Sequence, residues 1–83
     1  MLRRRDHNQD IEVFKEYMNE HPDSSRAAFN LGKALKEKGD SQSAMRYFKK
    51  CLQLLSRDRE ISDFSRNYLK NNAPKMMDEL KTR

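Results

Sequence analysis

Apolar residues recur along this chain at helical spacing, three and four apart, and nowhere alternate as in a strand. Ile11, Phe14 and Met18 fall at i, i+3 and i+7, with Tyr17 beside them, and predict a first helix over 9–20. Asn8 or Asp10 offers a side-chain oxygen to its free N–H groups. His21-Pro22 ends it, because the residue before proline is pushed out of helical backbone. A second stripe, Ala27/Ala28, Leu31 and Ala34/Leu35, predicts a helix over 24–38, capped by Asp23 or Ser24 and closed by Gly39. Ala44, Tyr47/Phe48, Cys51/Leu52 and Leu55 predict a third over 41–55, capped by Asp40 or Ser41. Asp58 is placed to cap a fourth over 59–71, with Ile61, Phe64, Tyr68 and Leu69 as its apolar face and Asn72 as its end. Pro74 then opens a short fifth helix over 74–82, striped by Met76, Met77 and Leu80. Residues 1–8 lack an apolar period and read as a mobile arm.

The reading is therefore all-α, one domain of about five helices. Composition agrees: among 83 residues there are only two glycines and two prolines to interrupt helices. The apolar share is 35%, so the core is thin.

Small residues stand where the second and third helices would touch. Leu31-Gly32 followed by Ala44-x-x-x-Phe48 pairs a close backbone approach with one large side chain to fill the groove. This segment resembles a tetratricopeptide repeat, a helix–turn–helix unit that stacks into solenoids. Leu35 stands where that family has Tyr and Cys51 where it has Ala; Ala28 replaces the usual bulky residue and Ser56 the usual Pro. Upstream, Phe14 and Pro22 match the aromatic and proline of a preceding second helix. Downstream, Ile61, Phe64 and Ser65 lie 33 residues after Ala28, Leu31 and Gly32, and Tyr68 completes a degenerate first helix. The resemblance implies a half repeat over 9–22, a full repeat over 24–56 and a degenerate repeat with a short terminal helix over 58–82.

The resemblance also implies function. Tetratricopeptide arrays bind proteins in a concave groove lined by the first helix of each pair, without catalysis. Its groove positions fall on Arg26, Phe29, Asn30, Lys33, Lys36 and Glu37, then on Arg59, Ser62, Asp63, Arg66 and Lys70. Arg26, Phe29, Asn30, Lys33 and Glu37 lie on one helical face at i, i+3, i+4, i+7 and i+11. That face is mostly basic and complementary to an acidic segment or a chain-terminal carboxylate. Charge reversal at Lys33 and Arg66 together is expected to abolish capture and leave helicity intact. Asn30 and Arg59 stand at positions of the chaperone-tail clamp of some relatives, but Asp63 stands where that clamp needs a basic residue.

Charge adds a second class of partner. The formal net charge is +5, and from 41 to 83 ten Lys and Arg face five Asp and Glu. Nucleic acid or a ribosome is the alternative partner. Against it, Tyr17, Tyr47 and Tyr68 fall near apolar stripes and read as core, not as a stacking platform. Self-association is a third reading, through apolar surface left on the first helix (Ile11, Phe14, Met18) or the last (Met76, Met77, Leu80).

Other chemistry finds little footing. His7 and His21 lie 14 apart without a metal-ligand pattern, no glycine-rich phosphate loop occurs, and no nucleophile–base arrangement can be built. No enzyme activity, cofactor or metal is expected. Cys51 is alone, reads as a small buried hydrophobe, and fits a reducing compartment. No apolar run is long enough to span a bilayer. Cytoplasm is the expected location, with the nucleus as an alternative.

Overall fold

The computed structural model describes residues 7–81, which form α1 (His7–Glu20), α2 (Ser25–Lys38), α3 (Ser41–Leu54) and α4 (Asp63–Lys81). Residues 1–6 of the proposed arm lie outside the described residues. His7 and Asn8 belong to α1, so the helix begins before the expected position 9, and Asn8 and Asp10 are inside it instead of capping it.

Each terminus of α2 is closed by local chemistry. Ser24 has extended backbone and its hydroxyl accepts from the Ala27 N–H at 3.2 Å. At the other end Gly39 has φ of 100°, in the left-handed region where a Cβ would be strained. There the Gly39 N–H donates to Leu35 and Lys36 and the Asp40 N–H returns to the Leu35 carbonyl, so the last carbonyls are satisfied. Asp40 then caps α3 by accepting from the Ser43 N–H at 3.2 Å.

Successive helices pack on one another, and α4 also returns to α2. The core runs from Ile11 and Met18 through Leu31, Leu35, Ala44, Phe48, Cys51 and Leu54 to Leu69, Ala73 and Leu80. Phe48 is fully buried, and a Cβ built on Gly32 would stand 2.8 Å from its ring. The absence of that Cβ is what lets α2 and α3 approach.

Among the described residues there are four helices, not five. α4 runs unbroken through Asn72 and Pro74. Proline there removes one helical hydrogen bond and ordinarily costs about 3 kcal/mol inside a helix. The loss is overridden by one continuous buried stripe, Leu69, Ala73 and Leu80, with Met76 and Met77 partly buried beside it. Pro74 itself faces solvent.

The start and rotation of α4 also depart from expectation. Residues 55–62 form a connection, and Ser62, whose hydroxyl accepts from the Ser65 N–H at 3.2 Å, takes the place expected of Asp58. Helix starts Ser25 and Asp63 are thus 38 residues apart, not 33. Adding 38 to Leu31 and Leu35 reaches Leu69 and Ala73, and all four are buried. Adding 33 reaches Phe64 and Tyr68, which are 82% and 47% exposed, so they are not the apolar core face of this helix.

Asp58 instead serves α2. Its carboxylate accepts from the Ser25 N–H at 2.9 Å and the Ser25 hydroxyl at 2.8 Å, and both residues are buried. Burial would raise this carboxyl, but the Ser25 and Glu60 hydrogen bonds and the nearby Arg66 charge outweigh it and hold it below the usual carboxylate range. The Arg66 guanidinium donates to the Leu55 carbonyl and, at 3.0 Å, to the Asp58 carbonyl. Asp58 therefore ties the long connection to the N-terminus of α2, and Arg66 ties it to α4.

The apolar stripes proposed for self-association pack internally in large part: Ile11, Met18 and Leu80 are buried. No helix among the described residues is long and apolar enough to cross a membrane.

Candidate functional site

Two clefts open on the side of α2 that faces α4. The first, about 340 Å³, lies between α2 and α4 and is lined by Arg26, Phe29, Asn30 and Lys33 from α2 and by Phe64, Ser65, Tyr68 and Leu69 from α4. The second, also about 340 Å³, lies between α1, the start of α2 and the connection, with Val13, Phe14, Tyr17 and Ile61 as its apolar walls. Arg26 and Asn30 line both, so one polar ridge on α2 divides two apolar troughs.

The ridge is built by the phase of α2. Burial of Ala27, Ala28, Leu31 and Leu35 turns Arg26, Asn30 and Lys33 to the opposite margin. Phe29, expected as a groove contact, is 3% exposed and serves as floor. Its ring lies 5.6 Å from Phe48 and 6.0 Å from Tyr68, the latter edge-on. The Lys33 ammonium lies 5.8 Å from the centre of the Phe29 ring, within cation–π range. Arg26 is exposed and Asn30 half-buried, and within the described residues neither side chain has a hydrogen-bond or ion-pair partner.

The structure thus brings together Arg26, Phe29, Asn30 and Lys33. The remaining expected residues lie elsewhere. Lys36 pairs with Glu79 of α4 at 3.1 Å. Arg59 is exposed in the connection, beside Arg57 and the His21–Pro22 turn. Asp63 and Lys70 are exposed on α4 and line neither cleft. Arg66 is committed to two backbone carbonyls of the connection, so reversing its charge would disturb that connection as well as any binding surface.

Sequence reasoning missed the aromatic half of the site. Tyr17 and Tyr68 are 48% and 47% exposed, not core, and Tyr47 is half-buried. Phe64 stands almost fully in solvent. The signal that could have found them is Ser62-Asp63, a cap and first-turn acid that start α4 at 63 and so fix its rotation.

The clefts are lined by the cations Arg26 and Lys33, the Asn30 amide, aromatic rings and, on the side of the connection, the Asp58 and Glu60 carboxylates. No three His, Cys, Asp or Glu side chains among the described residues gather as a metal site. Burial, with the Asp58 charge nearby, pushes the Cys51 thiol up to about 12, the opposite of an activated nucleophile.

Neither the curated proteins nor the solved structures contain a match to the chain. A family model described as tetratricopeptide repeat matches residues 25–54. That span is α2 and α3 with their Gly39 turn, the hairpin in which Gly32 admits Phe48. The α2–α3 hairpin is thus the part of the chain that is similar to a tetratricopeptide repeat.

Proposed function

We propose that the chain is a non-catalytic protein-interaction module that holds an acidic peptide segment along the α2 ridge. Tetratricopeptide repeats are protein-interaction units, which supports the broad reading. The observation that carries the finer one is the pair Arg26 and Asn30, unpartnered among the described residues and flanked on both sides by apolar walls, with Glu60 and the Ser25-bonded Asp58 at the edge of one. A guanidinium takes a carboxylate in a bidentate fork, and an amide can both donate to and accept from a peptide backbone. Val13 and Tyr17 on one side, and Phe64 and Tyr68 on the other, supply the aromatic and aliphatic area that anchors protein interfaces. The occupant is a segment with a carboxylate between two apolar side chains.

A random peptide library displayed against the immobilised chain tests this directly, whatever the partner is. Enriched peptides should carry Asp or Glu between apolar residues, and should be lost on Arg26→Glu. Enrichment of basic or purely apolar sequences, or retention by Arg26→Glu, would overturn the reading.

A further inference from the structure

We infer that the face of α3 turned away from α2 is a second binding surface, for the phosphate backbone of duplex nucleic acid. Gln42, Arg46, Lys49, Lys50 and Gln53 follow one another at i, i+4, i+7, i+8 and i+11, and all are exposed; Arg57, in the connection beyond the helix, is exposed too. They lie opposite Ala44, Phe48, Cys51 and Leu54, the buried side of the helix. α3 contains no acidic residue, and none of its cations or Arg57 has an ion-pair partner within the described residues. Asp40 caps α3 and Asp58 is turned onto Ser25, while Asp23 and Glu60 lie by Arg57 beyond the end of the helix. Lys15 of α1 faces Lys50 across a shallow cleft and extends the positive charge.

The chemistry of this face selects among anionic partners. A protein interface is built on aromatic and aliphatic anchors and is depleted in lysine. No residue of the exposed run is apolar. A helix lying on an anionic membrane inserts its apolar side, whereas that side of α3 is buried in the core. Single strands are held by stacking on aromatic rings; the exposed rings among the described residues, Tyr17, Phe64 and Tyr68, line the clefts beside α2, and Tyr47 on α3 is half-buried. Cations and amides without apolar anchors suit contacts to duplex phosphates, which carry no sequence information. This surface is distinct from the α2 ridge and does not depend on it.

The test is fluorescence anisotropy of labelled duplex DNA and duplex RNA of arbitrary sequence, titrated with the full chain at several salt concentrations. Arg46, Lys49 and Lys50 with the neighbouring Lys15 set an upper bound of about four phosphates, giving a log–log salt slope of about −3 to −4. Lys49→Glu/Lys50→Glu should weaken binding tenfold or more, and Lys49→Gln/Lys50→Gln less, both with unchanged circular dichroism. Arg26→Glu should stay within twofold of wild type. Binding to both duplexes places the shared phosphate backbone as ligand, and preference for one adds groove shape to it. Absence of binding at low salt, a slope near zero, or equal binding by the Lys49/Lys50 variants would overturn the inference. So would preferential, Lys49/Lys50-dependent binding to phosphatidylserine vesicles. Loss of the acidic-peptide enrichment with duplex binding intact would remove the proposed groove function and leave this one standing.

Discussion

A hydrogen where other residues have a methyl group lets the Phe48 ring lie against the α2 backbone at Gly32. A Cβ there would meet three ring atoms at 2.8 to 3.1 Å, and the ring is enclosed on all sides. Gly32→Ala gains up to about 1 kcal/mol of helix propensity but overpacks the core at a cost of about 1–3 kcal/mol. We expect a net fall in the thermal midpoint. In a Phe48→Leu background the same change should be neutral or stabilising, and a double-mutant cycle measured by thermal denaturation checks it. The core residue Cys51 gives a second expectation at this scale. With its thiol pushed up to about 12 by burial, alkylation near neutral pH should be slow in the native chain and fast in denaturant. Native-state labelling as rapid as that of the unfolded chain would contradict the burial of α3. The pairing of Gly32 with Phe48 was legible in the sequence because small and large residues compensate at fixed helical spacing. The exposure of Tyr68 was not, since a tyrosine at the margin of a stripe suits core and surface equally.

The helices were legible from apolar period and caps, and the connection between α3 and α4 was not. Ser24, Gly39 and Asp40 announce themselves locally, because each satisfies backbone groups within four residues of itself. Asp58 acts on Ser25 across 33 positions, and nothing in its neighbourhood distinguishes it from an ordinary helix cap. Its removal should be felt at α2: Asp58→Asn leaves the Ser25 N–H and hydroxyl poorly matched and should cost about 1–3 kcal/mol. Ser25→Ala should absorb most of that effect in the double variant. The sign with pH follows from the direction of the shift. The folded carboxyl lies below its unfolded value of about 3.9, so its contribution is complete above that pH and fades as pH falls through the folded value. Urea denaturation at neutral and acid pH should therefore show wild type and Asp58→Asn converging in acid. α4 offers the complementary test. The helix is continuous through a solvent-facing Pro74, so Pro74→Ala restores one helical hydrogen bond and should raise stability by about 1–3 kcal/mol in thermal denaturation. A loss of stability would mean that the helix is broken there and that Pro74 opens a separate fifth helix.

At the scale of the molecule, one hairpin similar to a tetratricopeptide repeat is extended on both sides: α1 packs on its first helix, and α4 packs on both helices of the pair. The added length between α3 and α4 rotates the next helix away from strict repetition. That rotation exposes Phe64 and Tyr68 and, with Arg26 and Asn30, makes the candidate site. Half of this was legible: the cationic and amide positions on α2 follow from helical phase and the family resemblance. The aromatic half depended on where α4 begins, which rests on a cap at Ser62 and a long-range lock at Asp58 and Arg66. The same extension leaves α3 with one side buried and the other lined by exposed cations and amides, so the two proposed binding surfaces fall on separate helices. The measurement that tests the central claim most directly is backbone amide chemical-shift mapping by nuclear magnetic resonance. A labelled chain would be titrated with an acidic peptide drawn from the library selection. The account predicts shifts concentrated at Arg26, Asn30, Lys33, Ser65 and Tyr68, with α3 silent. Shifts concentrated on α3, or spread evenly over the basic surface, would contradict it.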